Sequence, residues 1–130
     1  MTFANVHLAP GKEGEGKRLQ MLKDINRACP SPALAIVGDT NMRIAEEVKM
    51  ESIGLVSARP PKPTWDSKRN RYHAENRRFT AYFTRYLRNH CVQVDQVRVH
   101  DKPIKVDGKS FYLSDHFAMS GRACVVAGNG

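Results

Sequence analysis

Apolar and polar residues alternate over 2–8, with Ala4, Val6 and Leu8 on one side and Phe3, Asn5 and His7 on the other, the two-residue period of a strand. The alternation stops at the turn pair Pro10-Gly11. From Glu15 to about Cys29 the period lengthens: Leu19, Leu22, Ile25 and Cys29 recur at helical spacing with charged residues between them, ahead of Pro30. Residues 33–37, Ala-Leu-Ala-Ile-Val, then run apolar without a break, as a buried strand does. Strand, helix, strand predicts a right-handed α/β crossover. Residues 44–53 read as a short helix stopped near Gly54. Residues 59–76 hold Pro60, Pro61 and Pro63, many charges and little period, which predicts a long loop of the kind that carries function or stays disordered. Residues 78–87 and 92–99 predict strands around a turn region at 88–91. Asp107-Gly108 marks another turn, and 117–126 a last strand.

A chain of 130 residues, 41% hydrophobic, has material for one modest core, so one domain or part of one is expected. No apolar run approaches the ~20 residues that cross a bilayer, and no basic-then-apolar leader opens the sequence, which predicts a chain without membrane contact. Three widely spaced cysteines fit neither a disulfide framework nor a zinc pattern, so an intracellular, reducing setting is expected.

The net charge of +8 is concentrated: nine basic residues (Arg59, Lys62, Lys68, Arg69, Arg71, Arg77, Arg78, Arg85, Arg88) face two acids, Asp66 and Glu75. Trp65, Tyr72, Phe79, Tyr82, Phe83 and Tyr86 interleave with them. Cations among rings suit a surface that holds phosphates and stacks bases. The plainer account is a solvated basic loop followed by a strand with core aromatics.

One pattern is a decoy. Residues 11–18, GKEGEGKR, nearly spell a phosphate-binding loop between a strand and a helix, but Arg18 stands where a hydroxyl residue would hold magnesium. Glu13 and Glu15 would also oppose phosphates, so a flexible helix start is the better account.

Three polar clusters sit at or beside strand ends: His7 in NVHL, Asp39 and Asn41 in GDTN, and Asp115 and His116 in SDHF. Singly, each has a dull explanation as a structural histidine, a turn or a cap. Together, acids, histidines and an amide are the parts that break a phosphodiester: a carboxylate to orient water, another to hold a divalent cation, an imidazole to stabilise charge on phosphorus. NVHL, GDTNMR and SDHF, in this order and spacing, resemble the second half of the endonuclease/exonuclease/phosphatase superfamily. Arg43 in GDTNMR and PTWD at 63–66 are similar to its tyrosyl-DNA phosphodiesterases of the 5′-tyrosyl type. The similarity runs over about 2–126.

The resemblance implies the C-terminal half of a four-layer α/β sandwich: one mostly antiparallel sheet with helices on its outer face, so that 1–130 is a single partial domain. It also implies a magnesium-dependent phosphodiesterase or nuclease, with manganese as a possible substitute, acting on nucleic acid, DNA before RNA. Asp39 would orient the attacking water, Asn41 would position it or the phosphate, and His7 would contact the scissile phosphate. Asp115 would help hold the metal and His116 would stabilise the transition state. Arg43 and Trp65 would lie along the DNA, joined by Arg69, Arg71, Arg77 and Arg78 from the basic segment. Asp95, in VQVDQV, would orient His116, although Gln96 stands where relatives often carry a base. Nuclear placement follows from the resemblance alone.

The superfamily's first half, with its Asn and its metal-binding Glu, has no counterpart in these residues. The metal site is therefore expected to be incomplete, and an apolar sheet face to need cover from a missing half or another protein surface. The competing expectation is a non-catalytic nucleic-acid-binding or assembly module that keeps the basic face.

Overall fold

The computed structural model describes residues 1–70 and 80–126. In chain order the elements are β1 (Thr2–His7), α1 (Glu15–Ala28), β2 (Leu34–Asp39), α2 (Ile44–Glu47), β3 (Val56–Ala58), β4 (Trp65–Asp66), β5 (Ala81–Tyr82), β6 (Tyr86–Arg88), β7 (Val92–His100), β8 (Ile104–Val106), β9 (Lys109–Phe111) and β10 (Ala118–Val125). The fold is mixed α/β with more sheet than helix. It divides into two compact units: 1–59 with 84–95 and 122–130, and 60–83 with 96–121.

In the first unit, β1 and β2 pair in parallel and α1 is the crossover between them, as the change of period from two to 3.6 and back implies. The sheet order is β1-β2-β6-β3, with β6 antiparallel to both β2 and β3. One face packs on α1 through Leu8, Leu22, Leu34, Ile36, Met42, Met50, Leu55 and Leu87, with Ala4, Val6, Leu19, Ile25 and Cys29 around them. The side of β1 chosen by alternation and the stripe of α1 are thus the surfaces that meet. The opposite face is covered at one end, where Ala33 and Ala35 meet Val92, Val94 and Ala123. Val37 departs from the expected buried run. It shares the side of Ala35 but lies outside that cluster and is 37% exposed, as is Phe3 at 58%.

The expected helix over 44–53 is two short pieces: α2 ends after one turn, and a 3-10 turn at Glu51–Ile53 closes on Gly54, whose φ of 79° is the left-handed cap that glycine favours. The expected strand at 78–87 is also broken into β5 and β6. Between them the Arg85 carbonyl accepts the Thr40 hydroxyl (2.9 Å) and its guanidinium reaches Glu47, so side-chain bonding has taken the backbone out of the ladder. In place of one sheet, the described residues hold the four-stranded sheet and three two-stranded ones.

The second unit is built from short pieces. β4 pairs with β5, and β8 with β9 in a two-residue hairpin whose turn, Asp107 (φ 51°) and Gly108 (φ 74°), has the positive φ pair that matches strand twist. The turn was legible from Asp-Gly, the flanking strands were not. The predicted loop at 59–76 likewise contains β4. Buried residues here are largely polar: Thr64, Ser67, Asn70 and Asp101 join Phe117.

Candidate active site

Parallel pairing sets His7 directly opposite Asp39. Their side chains approach within 3.8 Å, His7 Nε2 to Asp39 Oδ2, with the imidazole well exposed and the carboxylate half-buried. Gly38 holds φ at 113°, and a Cβ there would lie 2.1 Å from the Val6 carbonyl oxygen, so the glycine of GDTN is required for β1 and β2 to lie side by side at this point. The Leu8 amide donates to the Asp39 carbonyl (2.9 Å), which carries the pairing one residue past the strand end.

Asn41 takes a left-handed φ of 50°, a conformation asparagine tolerates better than most side chains. Its amide N–H donates to Asp39 Oδ1 (3.2 Å) and its Nδ2 to the Leu8 carbonyl (2.9 Å). The carboxamide therefore fastens the GDTN turn to the end of β1. Arg43 Nη1 donates to the Asn41 carbonyl (2.7 Å). NVHL and GDTNMR are thus one hydrogen-bonded structure.

That loop is also held from below. Arg85, buried, donates to the Met42 carbonyl (3.0 Å) and, through Nε, to Glu47 Oε1 (2.7 Å), and Arg59 reaches the same carboxylate at 3.0 and 3.2 Å. The Arg59 hydrogen bond is the largest influence on the Glu47 carboxyl and, with Arg85, holds it below the usual carboxylate range against its burial.

In the second unit, PTWD and SDHF meet. The Phe117 amide donates to the Thr64 carbonyl (2.6 Å), and Asn70 Nδ2 to the Ser114 carbonyl (2.7 Å). Asp66 Oδ1 accepts the amides of Lys68 and Arg69, closing the turn after Trp65. The Ser114 hydroxyl accepts the His116 amide at 3.2 Å, a local turn that sets the direction of Asp115 and His116, both half-buried. Asp101 is the anchor beneath. Its Oδ2 takes Arg69 Nη1 at 2.6 Å and Lys62 Nζ at 3.7 Å, and Arg69 lies 5.7 Å over the Phe117 ring. Hydrogen bonding from Arg69 keeps the Asp101 carboxyl below its ordinary range.

Much of the basic segment is thereby paired with acids and carbonyls of the same chain. Arg59 and Arg85 bind Glu47, Lys62 and Arg69 bind Asp101, and Arg88 donates to the Val92 carbonyl (3.0 Å). Sequence reasoning could count these charges but had no means of seeing the acids that pair with them, which are distant in the chain. Arg71, Arg77 and Arg78 lie outside the described residues. Asp95 carries a side-on ion pair, both its oxygens 3.1 Å from Arg122 Nε and Nη2, in the first unit, whereas His116 belongs to the second.

Among the described residues no group of three or more His, Cys, Asp or Glu side chains could hold a metal ion. A hard cation such as magnesium asks for several oxygen donors. The described residues do not fit a complete site for such an ion. Among them, too, no helix is long and apolar enough to cross a membrane.

No family model and no curated protein sequence matches the chain. Solved structures do. D. rerio TDP2 complexed with single strand DNA product is similar over 95% of this chain and 56% of its own, at 19% identity and a TM-score of 0.70. Truncated Caenorhabditis elegans TDP2 is similar over 95% and 54%, at 19% identity and a TM-score of 0.60. A Bacteroides thetaiotaomicron mannosyl-6-phosphatase is similar over 94% and 50%, at 14% identity and a TM-score of 0.61. The chain shares the fold of these structures and spans about half the length of each.

Proposed function

We propose that the chain is the C-terminal half of a four-layer α/β sandwich that hydrolyses phosphodiesters in DNA, as a 5′-tyrosyl-DNA phosphodiesterase or a related nuclease. The observation that carries this reading is the pairing of His7 with Asp39 at the ends of parallel strands, with Asn41 bonded to the Asp39 carboxylate and to the Leu8 carbonyl. A rigid strand pair is a sound mount for a carboxylate that orients water and an imidazole that meets a phosphate. His116 is proposed to stabilise charge on phosphorus, and Asp115 to supply one oxygen to a magnesium or manganese ion whose further donors lie beyond the described residues. Arg43, Trp65 and, from the basic run, Arg71, Arg77 and Arg78 are proposed to line the DNA, and Asp95 to steady His116. Likeness to a structure that holds a single-strand DNA product supports DNA as the substrate class.

Phe3 and Val37, exposed on one sheet face, support cover by a second sheet or another protein surface. The lack of a three-donor cluster among the described residues favours a second reading, a binding or assembly module without catalysis.

One assay separates them. Magnesium-dependent release of a 5′-phosphotyrosyl or plain phosphodiester product is measured for the chain alone, for the chain joined to its upstream coding sequence, and for Asp39→Asn in the longer form. The enzymatic reading expects activity in the longer form and its loss by a factor of at least about a hundred in the variant. An inactive longer form would leave the binding module.

A further inference from the structure

Arg18, the residue that spoils the phosphate-loop pattern, is fully buried in the first unit. Its guanidinium makes four hydrogen bonds: Nε and Nη2 to the two oxygens of Glu46 (2.7 and 2.9 Å), and Nη1 to the carbonyls of Ala9 (2.8 Å) and Gly11 (2.7 Å). Residues 9–11 are the loop that follows His7. Glu46 Oε2 also accepts the Arg43 amide at 2.8 Å, which is the loop that follows Asp39 and Asn41. Burial pushes the Glu46 carboxyl up, but the Arg18 hydrogen bond and charge, with the Arg43 amide, bring it below the usual carboxylate range.

The bonds form a closed circuit. Arg18 holds Ala9 and Glu46, Glu46 holds the Arg43 amide, the Arg43 side chain holds the Asn41 carbonyl, and Asn41 holds the carbonyl of Leu8, beside Ala9. Stability alone gives no reason for such a pair, because two apolar side chains of similar volume often stabilise a core at least as well as a buried ion pair. An ion pair does what they cannot: its guanidinium holds two carbonyls of one loop, its carboxylate accepts an amide of the other, and the pair sets the mutual register of the two loops.

We infer that Arg18 and Glu46 are positioning residues, a buried clasp that holds the His7 loop and the Asp39–Asn41 loop in the geometry of the site. The meaning of that geometry rests on the functional reading above, but the clasp can be measured without it. The full chain is compared with Arg18→Met/Glu46→Leu by thermal unfolding and by amide hydrogen exchange. Three amides are read: Arg43, which donates to Glu46, Leu8, which donates to Asp39, and Asn89, which donates to Leu34 away from the clasp. The expected result is unfolding within a few degrees of the parent, exchange at Arg43 and Leu8 faster by about tenfold or more, and Asn89 unchanged.

Equal acceleration at all three amides would mean that the pair acts only through global stability and would overturn the inference, as would parental protection at Leu8 and Arg43. If the double variant does not fold, Glu46→Gln, which keeps the volume and loses the charge, is read by the same ratio of Arg43 and Leu8 to Asn89. An inactive longer form in the hydrolysis assay would count against the functional reading and leave this ratio untouched.

Discussion

The two units keep their chemistry-bearing loops in place by different means. In the first, NVHL and GDTN are consecutive extensions of a parallel strand pair whose one face is sealed by aliphatic side chains from α1, β1, β2 and β6. In the second, PTWD and SDHF are tied by single hydrogen bonds and by Asp101, which gathers Arg69 and Lys62 beside the Phe117 and Tyr112 rings. Apolar burial offers no charge to screen or titrate, whereas a partly exposed ion pair is screened by salt and titrated by pH. The difference teaches where each loop is vulnerable.

The largest effects should come from the first unit. Leu22→Ala removes the centre of the α1 contact and is expected to cost about 2–5 kcal/mol in chemical denaturation, by the same amount in low and high salt. Gly38→Ala should cost at least as much, because strain at φ 113° adds to a clash with the backbone of β1. A salt-dependent loss at Leu22 would break the contrast.

A smaller loss, about 1 kcal/mol, is expected for Asp101→Asn, with faster amide exchange at Phe117 and Asn70 and a deficit that shrinks as salt is raised. Acidification should reproduce part of it. The carboxyls of Asp101, Glu46 and Glu47 are all held below their ordinary range, so their contribution is complete at neutral pH and is lost as pH falls below about 4, where the unfolded chain takes up protons first. Denaturation midpoints should therefore be flat from pH 7 to about 5 and fall below that, less steeply in Asp101→Asn.

The smallest effect separates structural from binding charges. Arg69→Gln should leave the salt dependence of DNA binding nearly unchanged, since Asp101 already neutralises that guanidinium, whereas neutralising a cation that meets a phosphate should lower the slope by about one. A full unit lost at Arg69 would place it on the DNA after all.

The elements read most faithfully were those set by local period: β1, α1 and β2 match the alternation, the helical stripe and the apolar run to within a residue or two at their ends. Less legible was anything that depends on a distant partner. The strand over 78–87 broke because Arg85 is drawn into contacts with Thr40 and Glu47, far away in sequence, and Arg18 reads as a failed phosphate loop until Glu46 is found beside it.

By itself, then, the sequence determined which segments extend, which coil, and which polar residues stand at their ends, because period and turn chemistry are properties of neighbours along the chain. Tertiary structure alone decided which charges are spent. Whether an arginine faces a phosphate or a carboxylate depends on what folding brings within 3 Å of its guanidinium, and here Arg18, Arg69 and Arg85 each close on an acid twenty-eight or more residues away.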